Sequence, residues 1–189
     1  MDINEDIKNA CEVLQKGGII LYPTDTIWGI GCDATNPEAV ARIYQIKQRE
    51  DSKSMLMLLD SSGKLDYYVD DCPEIALDLI ELSEKPLTIV YPNAKHVAFN
   101  LIAEDGSIGI RITREKFSNQ LCQRFRKPIV STSANQSGNP AAANFRQIDP
   151  MIRNAVDYVV SYRQDDLSES KSSSIIKLGK GGLVEIIRK

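Results

Sequence analysis

Two short polar motifs, far apart in the chain, carry the side chains best suited to binding an anion. Lys47 and Arg49 supply two permanent cations at the end of a segment with helical periodicity. Ser131-Thr132-Ser133-Ala134-Asn135 supplies hydroxyls and an amide directly after the apolar run 128–130. Arginine binds phosphate or carboxylate through paired hydrogen bonds, and lysine acts as a mobile point charge. Together the motifs predict a pocket for an anionic small molecule, with phosphate as the first candidate.

Each motif also has a purely structural interpretation. Cations in the last turn of a helix complement its dipole, and hydroxyls after a strand often bond to their own backbone. Thr24, Asp25 and Thr26 follow another predicted strand, where they could receive a ligand or cap a turn. Trp28 is suited equally to a core and to a pocket wall. Spacing alone leaves these alternatives open.

The segments that position these motifs show both helical and strand patterns. Asn36 and Pro37 mark a helix start before apolar residues at helical spacing. The patterns predict a single α/β domain over 1–189, with a mixed, twisted sheet flanked by helices. Strand ends are where α/β proteins usually place ligands. Helices are predicted at 7–14, 36–47, 73–82, 117–125 and after 144, and strands at 19–22, 55–59, 87–91, 107–112, 128–130, 158–162, 173–178 and 183–187.

Composition narrows the function classes. The 189 residues have a formal net charge of −3, which argues against nucleic-acid binding driven by total charge. The four cysteines are widely spaced and His96 is the only histidine, so no metal site is predicted. There is no signal-peptide pattern, and no apolar run approaches the roughly 18 residues of a membrane span. These features predict a cytoplasmic protein with buried thiols and no membrane association.

The phosphate-binding loop G-x-x-x-x-G-K-[ST] is absent, so side chains must do more of any nucleotide binding. Short motifs follow one another along the chain. In sequence order they are Pro23-Thr24-Asp25-Thr26, Gly29, Gly31-Cys32-Asp33-Ala34, Lys47-x-Arg49, Pro86-Leu87-Thr88, Ile110-Arg111 and Ser131-x-Ser133-Ala134-Asn135-x-Ser137-Gly138. Each motif is weak alone, but in this order they resemble the YrdC-like threonylcarbamoyl-AMP synthases over residues 17–188.

The resemblance implies a nucleotidyltransferase reaction. ATP, L-threonine and bicarbonate or CO2 would give threonylcarbamoyl-AMP and pyrophosphate, for threonylcarbamoylation of adenosine 37 of transfer RNA (t6A37). Threonine would first form a carbamate, which attacks the α-phosphate of ATP. Mg2+ would arrive with ATP, held by phosphates and water more than by the protein. The product would pass to the tRNA threonylcarbamoyl transferase complex.

The resemblance also implies roles for individual residues. Lys47 and Arg49 would be the catalytic cations, and both are expected near the surface. Contacts to threonine would come from Thr26, Lys47, Arg111, Ser131 and Ser173. Contacts to the nucleotide would come from Arg49, Lys53, Ser107, Ser133, Asn135 and Arg188. Glu50, Ser54 and Glu84-Lys85 depart from the family pattern, so substrate fit is expected to differ beside them.

Two other functions remain as alternatives. One is a noncatalytic, translation-associated protein that binds double-stranded RNA through a concave surface formed by Lys47, Arg49, Lys53 and Arg111. The other is a phosphosugar enzyme such as dihydroxybutanone phosphate synthase, whose chemistry needs metal-binding carboxylates and histidine. The acidic total charge counts against the first, and the single histidine His96 counts against the second.

Overall fold

A mixed nine-stranded sheet organises the computed structural model, which describes residues 2–48, 55–169, 171–179 and 183–189. Its order is β7-β1-β2-β6-β3-β5-β4-β8-β9. The pairs β1–β7, β3–β5 and β4–β8 are parallel, and the other neighbours are antiparallel. The strands are β1 (Ile20–Tyr22), β2 (Gly29–Gly31), β3 (Leu56–Leu59), β4 (Leu87–Tyr91), β5 (Ile108–Ile112), β6 (Ile129–Ser133), β7 (Tyr158–Val159), β8 (Ser174–Leu178) and β9 (Val184–Arg188).

Helices flank this sheet, as the sequence predicts for an α/β fold. Helix α1 packs against α5 and β1, and α5 also contacts β3. Among the described residues, no helix combines the length and apolar character needed to cross a bilayer. The helices are α1 (Ile3–Gln15), α2 (Pro37–Lys47), α3 (Leu65–Tyr68), α4 (Ile75–Leu82), α5 (Lys116–Phe125) and α6 (Pro150–Ala155).

Helix α2 begins and ends through local chemistry. The Asn36 side chain accepts a hydrogen bond from the Ala39 amide at 3.1 Å, and Pro37 occupies the first turn. Gln48 ends the helix in the left-handed conformation, with φ of 48°. The buried face includes Val40 and Ile43, as the spacing predicts. These caps fix Lys47 as the last residue of the helix.

Several predicted boundaries are wrong. Strand β6 runs to Ser133, so the hydroxyls of Ser131 and Ser133 belong to the strand instead of following it. Strand β2 has no counterpart in the predictions, because two of its three residues are glycine and show no apolar alternation. The strand predicted at 158–162 contains only Tyr158–Val159, and the helix predicted at 73–82 begins at Ile75.

Gly31 shows why the sheet needs a glycine in β2. A Cβ atom there would lie 2.5 Å from the Val130 carbonyl oxygen and 2.7 Å from Cε1 of Tyr22. The backbones of β2 and β6 therefore approach more closely than any larger residue permits. This close approach brings the chain after β1 towards the polar end of β6.

All four cysteines are free thiols. Cys11, Cys32 and Cys122 are buried, and Cys72 is half-buried. Burial raises the pKa of the Cys32 and Cys122 thiols above its ordinary range, which keeps them protonated. The prediction of unpaired, mostly buried cysteines is confirmed.

Candidate active site

A cavity of about 500 Å3 lies across the middle of the sheet. Its size falls within the range of small-molecule sites, roughly 300–1,000 Å3. Neither acidic residues nor histidine nor cysteine line it among the described residues. The lining residues that matter below are Thr26, Trp28, Thr88, Gly109, Arg111, Ser131, Ser133, Asn135, Ser173 and Arg188.

Arg111 is a buried cation in the wall of this cavity, only 3% exposed. Its Nη1 donates to Oγ1 of Thr26 at 3.3 Å, while its Nε has no hydrogen-bond partner among the described residues. Burial lowers the pKa of Arg111, and the nearby Asp25 carboxylate opposes that shift. An arginine remains charged at neutral pH even so. The cavity therefore contains a desolvated cation with an unused donor, suited to a carboxylate or phosphate oxygen.

Asp25 anchors the turn that carries Thr26. It accepts hydrogen bonds from Oγ1 of Thr113 at 2.6 Å and from the amides of Arg114 and Glu115 at 2.7 and 3.0 Å. Its Oδ2 lies 3.7 Å from Nε of Arg111, which is an ion-pair distance but too long for a hydrogen bond. Of the two alternatives for this turn, ligand binding and a structural role, Asp25 has the structural role. It joins the turn after β1 to the end of β5.

The two threonines beside Asp25 have different roles. The Thr24 hydroxyl donates to the Ile27 carbonyl at 2.7 Å and accepts from the Thr26 amide at 3.1 Å, so it caps the turn. The Thr26 hydroxyl lies at the cavity between Thr24 and Arg111. Thr26 is thus the member of this turn available to a ligand.

Lys47 is buried, and the prediction that it lies near the surface is wrong. The residue is 2% exposed, and its Nζ donates to the carbonyl oxygens of Ser133 and Asn135 at 2.5 and 2.6 Å. Its own carbonyl accepts from the Ser137 amide at 2.9 Å. Lys47 therefore joins α2 to the chain after β6 at two points. It is not among the residues that line the cavity.

Asn135 carries an unused acceptor at the cavity. Its Nδ2 donates to the carbonyls of Gln136 and Asn139 at 3.0 and 2.6 Å, which closes the loop after β6. Its Oδ1 is buried and has no partner among the described residues. Because buried polar atoms are almost always paired in native proteins, this oxygen is available to accept from a ligand in the cavity.

Ser173 and Arg188 form the far wall of the cavity. Ser173 is buried, and its hydroxyl lies 2.9 Å from Oγ1 of Thr88 on β4. Nε of Arg188 donates to the Ser173 carbonyl at 2.9 Å. Strands β8 and β9 therefore bring two residues from the end of the chain to the same cavity as Thr26 and Arg111.

Ser107 lies beyond the lining of the cavity. Its hydroxyl donates to Oδ1 of Asp105 at 2.5 Å, and Nζ of Lys177 donates to Oδ2 at 2.6 Å. These bonds, that of Lys177 foremost, lower the pKa of Asp105 to about 2. Strand alternation places Ser107 on the same face as Gly109 and Arg111. Its nucleotide contact stays a prediction.

Four residues of the predicted site region lie outside the described residues. Arg49 and Lys53 carry expected nucleotide contacts, and Glu50 and Ser54 carry departures from the family pattern. Of the predicted site residues that the structure describes, most line the cavity; Lys47 and Ser107 do not.

Gly109, Thr88 and Trp28 are lining residues that the sequence predictions did not assign to the site. A glycine inside a strand pattern is the signal that could have identified Gly109, since it marks close approach of a ligand or backbone. Trp28 is 6% exposed and packs on Phe145 with ring centroids 4.9 Å apart. It serves as both core residue and pocket wall.

We expect Gly109→Val to remove binding of the cavity's ligands while the sheet stays folded. A Cβ atom at Gly109 would lie 3.3 Å from Cβ of Leu56 and 3.5 Å from Cγ2 of Thr88, so added methyl groups must extend into the cavity. Titration calorimetry with ATP and with threonine, the ligands that the family resemblance implies, should show at least a tenfold loss of affinity. Gly63→Val is the matched control, because a Cβ atom at Gly63 would meet only Oγ of Ser61, at 3.5 Å. Equal affinities in the Gly109 variant would place the ligands elsewhere.

Comparisons with known proteins identify the family. The Sua5_yciO_yrdC family model, described as "Telomere recombination", matches residues 12–189. The chain is 33% identical over 187 residues to the threonylcarbamoyl-AMP synthase of Pseudoalteromonas translucida, covering 97% of this chain and 98% of that protein. A threonylcarbamoyl-AMP synthase of Coxiella burnetii is 27% identical over 184 residues, covering 94% and 99%.

Solved structures share the fold. E. coli YciO superposes with a TM-score of 0.85 at 22% identity, covering all of this chain and 90% of that one. P. abyssi Sua5 complexed with L-threonine gives 0.83 at 22% identity, covering 94% of this chain and 52% of the longer Sua5 chain. Since the family model covers nearly the whole sequence, the chain belongs to the Sua5/YciO/YrdC family.

Proposed function

We propose that the chain is an L-threonylcarbamoyladenylate synthase. As a nucleotidyltransferase it would convert L-threonine, bicarbonate or CO2, and ATP into threonylcarbamoyl-AMP and pyrophosphate, for t6A37 formation. Curated relatives of matching length are named threonylcarbamoyl-AMP synthase, which supports an enzymatic function for this chain. The single observation that carries the synthase assignment is the buried Arg111 cation, whose Nη1 bonds to the Thr26 hydroxyl and whose Nε has no hydrogen-bond partner among the described residues.

Arg111 and Thr26 are suited to L-threonine. A carboxylate would supply the acceptor that Nε of Arg111 lacks, and in a dry site such a charge-assisted bond is strong. The Thr26 hydroxyl can bond to a second polar group of the same amino acid. Ser131 and Ser173 line the same cavity and complete the expected threonine contacts. The bound L-threonine in the P. abyssi Sua5 structure, which shares this fold, supports the assignment.

ATP would occupy the part of the cavity that faces Ser133, Asn135 and Arg188. Oδ1 of Asn135 can accept from a hydroxyl or amino group, and Arg188 adds a cation. Among the described residues no group of three His, Cys, Asp or Glu side chains could hold a metal ion. Mg2+ would therefore enter on the ATP phosphates with its own waters.

The reaction needs alignment and charge neutralisation more than a protein nucleophile. The threonine carbamate would attack the α-phosphate, the bond to the β-phosphate oxygen would break, and pyrophosphate would leave. We propose Lys47 as a positioning residue, since its ammonium holds the Ser133 and Asn135 carbonyls. Arg49 and Lys53 remain the expected phosphate contacts. The product would pass to a tRNA threonylcarbamoyl transferase complex in the cytoplasm.

The test is pyrophosphate release by the purified chain with each substrate omitted in turn. We expect release to require ATP, threonine and bicarbonate together, and to fall to background in Gly109→Val. Gly63→Val should release pyrophosphate as the wild type does. Release that continues without threonine would contradict the proposal.

The alternative function, duplex RNA binding through Lys47, Arg49, Lys53 and Arg111, has weaker support. Lys47 and Arg111 are buried, at 2% and 3% exposure, and so present no open surface to a phosphate backbone. The phosphosugar alternative lacks its metal ligands among the described residues, and His96 lies outside the cavity. The burial of the two cations favours a small-molecule site over an RNA surface, and the position of His96 counts against phosphosugar chemistry.

A further inference from the structure

A second groove lies at the other end of the central strands from the active-site cavity. Strands β3 and β6 pair Leu56 with Ser131 beside the cavity and Leu58 with Ile129 towards the opposite end. The groove has a volume of about 410 Å3. No lining residue is shared by the two sites. The residues used below are Lys64, Tyr67, Tyr68, His96, Arg126 and Lys127.

Aromatic rings form one wall of this second groove. Tyr67 is 59% exposed, and its ring lies against His96 with centroids 4.4 Å apart and planes tilted by 32°. Nδ1 of His96 donates to the Tyr67 carbonyl at 2.6 Å, and Tyr68 packs its ring against Tyr67 at about a right angle. The exposed pair is therefore held in place as a platform on which another planar ring can stack.

Lys64 and Lys127 make the surface beside the platform cationic. They pair with Asp60 and Asp33, each at 2.6 Å. The two aspartates lie beneath, with side chains 11% and 7% exposed, whereas the lysine side chains are 40% and 51% exposed. Solvent therefore meets the ammonium groups first. An ammonium has three donors, so each lysine can keep its aspartate and also donate to an incoming phosphate.

Arg126 occupies a backbone position that favours glycine. It caps α5 in the left-handed conformation, with φ of 62°, and its amide donates to the Cys122 carbonyl. Its guanidinium makes no hydrogen bond or ion pair with another described residue. An exposed arginine is thus present at the groove, at a position where the left-handed backbone favours glycine. His96 shares this conformation, with φ of 55°.

We propose that this groove binds single-stranded RNA, with one base stacked on Tyr67 and His96 and adjoining phosphates on Arg126, Lys127 and Lys64. Aromatic rings beside mobile cations are the features that bind single strands without sequence preference. A free mononucleotide is a poorer fit, because small-ligand sites enclose most of their ligand and this platform is open. The proposal is independent of the proposed function, since none of these residues lines the catalytic cavity.

The test is fluorescence anisotropy with a labelled ten-nucleotide oligoadenylate RNA, titrated with the full-length protein at several salt concentrations. Tyr67→Ala should weaken binding about tenfold, because one stacked base is lost. Arg126→Gly should weaken it several-fold and lower the salt slope by about one phosphate contact. Glycine suits the left-handed backbone, so this variant should have an unchanged or higher melting temperature.

Matched controls make the result decisive. Arg146→Ala removes an exposed cation remote from the groove lining and should bind RNA as the wild type does. Saturating ATP should leave RNA binding unchanged. Displacement of the RNA by ATP would overturn the proposal, since the strand would then share the main cavity or the groove would take mononucleotides. Equal affinities for the Tyr67, Arg126 and Arg146 variants, or no saturable binding by the wild type, would also overturn it.

Discussion

Lys47→Met is expected to lower both the stability of the protein and its activity. The ammonium donates to the carbonyls of Ser133 and Asn135. The Ser133 carbonyl also accepts from the Asn135 amide at 2.9 Å, so methionine would leave the Asn135 carbonyl as the unsatisfied group. An unsatisfied buried group costs about 1–3 kcal/mol, so the free energy of unfolding should fall by about that amount. The loop after β6 would lose its anchor. A misplacement of about 1 Å at such a loop can cost roughly 100-fold in rate.

Urea unfolding and pyrophosphate release measured on the same preparations would separate the roles of Lys47. Lys8→Met is the matched control, because Lys8 lies exposed on α1 in a weak surface ion pair with Glu12. The control should retain stability and activity. A Lys47 variant of wild-type stability but without activity would show that the ammonium acts on the substrate, as the family resemblance implies. A variant that keeps both would contradict both roles.

Arg111→Met should lose activity and keep most of its stability, unlike Lys47→Met, which should lose both. Removing one member of a buried charge pair with a ligand costs about 2–5 kcal/mol, which predicts a fall in kcat/KM of about 30-fold or more. Asp25 loses its ion-pair partner, 3.7 Å away, which costs some stability. The fold should tolerate the change because methionine fills similar space and the Asp25 carboxylate stays hydrogen-bonded. Asp25 keeps its three hydrogen bonds to Thr113, Arg114 and Glu115.

For Arg111 the decisive readout is the split between substrates. Threonine affinity should fall in the variant while ATP affinity changes little, because the Arg111 guanidinium contacts Thr26 through Nη1 and has a spare donor at Nε. Calorimetric titrations with each substrate and a urea midpoint close to that of the wild type would support this. Equal losses for both substrates would assign Arg111 to the nucleotide. A large loss of stability would make its role structural.

The sequence contained most of the fold and part of the site. The cap at Asn36 and the apolar runs at β3, β4 and β5 follow local rules, so α2 and these strands were predictable. Strand β2 was not, because it is stabilised by close backbone approach and not by apolar alternation. The order of the polar motifs identified the family before any geometry.

The roles of the two central cations depended on tertiary structure. A lysine in the last turn of an amphipathic helix looks solvent-exposed, and only the position of the loop after β6 shows that Lys47 is buried. For Arg111, the sequence indicates only a charge at a strand end. Its unpaired Nε, its distance from Asp25 and its contact with Thr26 arise from the approach of β5 to the turn after β1.

The most direct test of the central claim is identification of the reaction product. The purified chain would be incubated with ATP, L-threonine and 13C-labelled bicarbonate, and the products separated and weighed by mass spectrometry. The account predicts threonylcarbamoyl-AMP carrying one 13C atom in its carbamoyl group, absent when threonine is omitted and strongly reduced in Arg111→Met. ATP consumption without a labelled threonine adduct, under conditions in which a known synthase forms one, would contradict it.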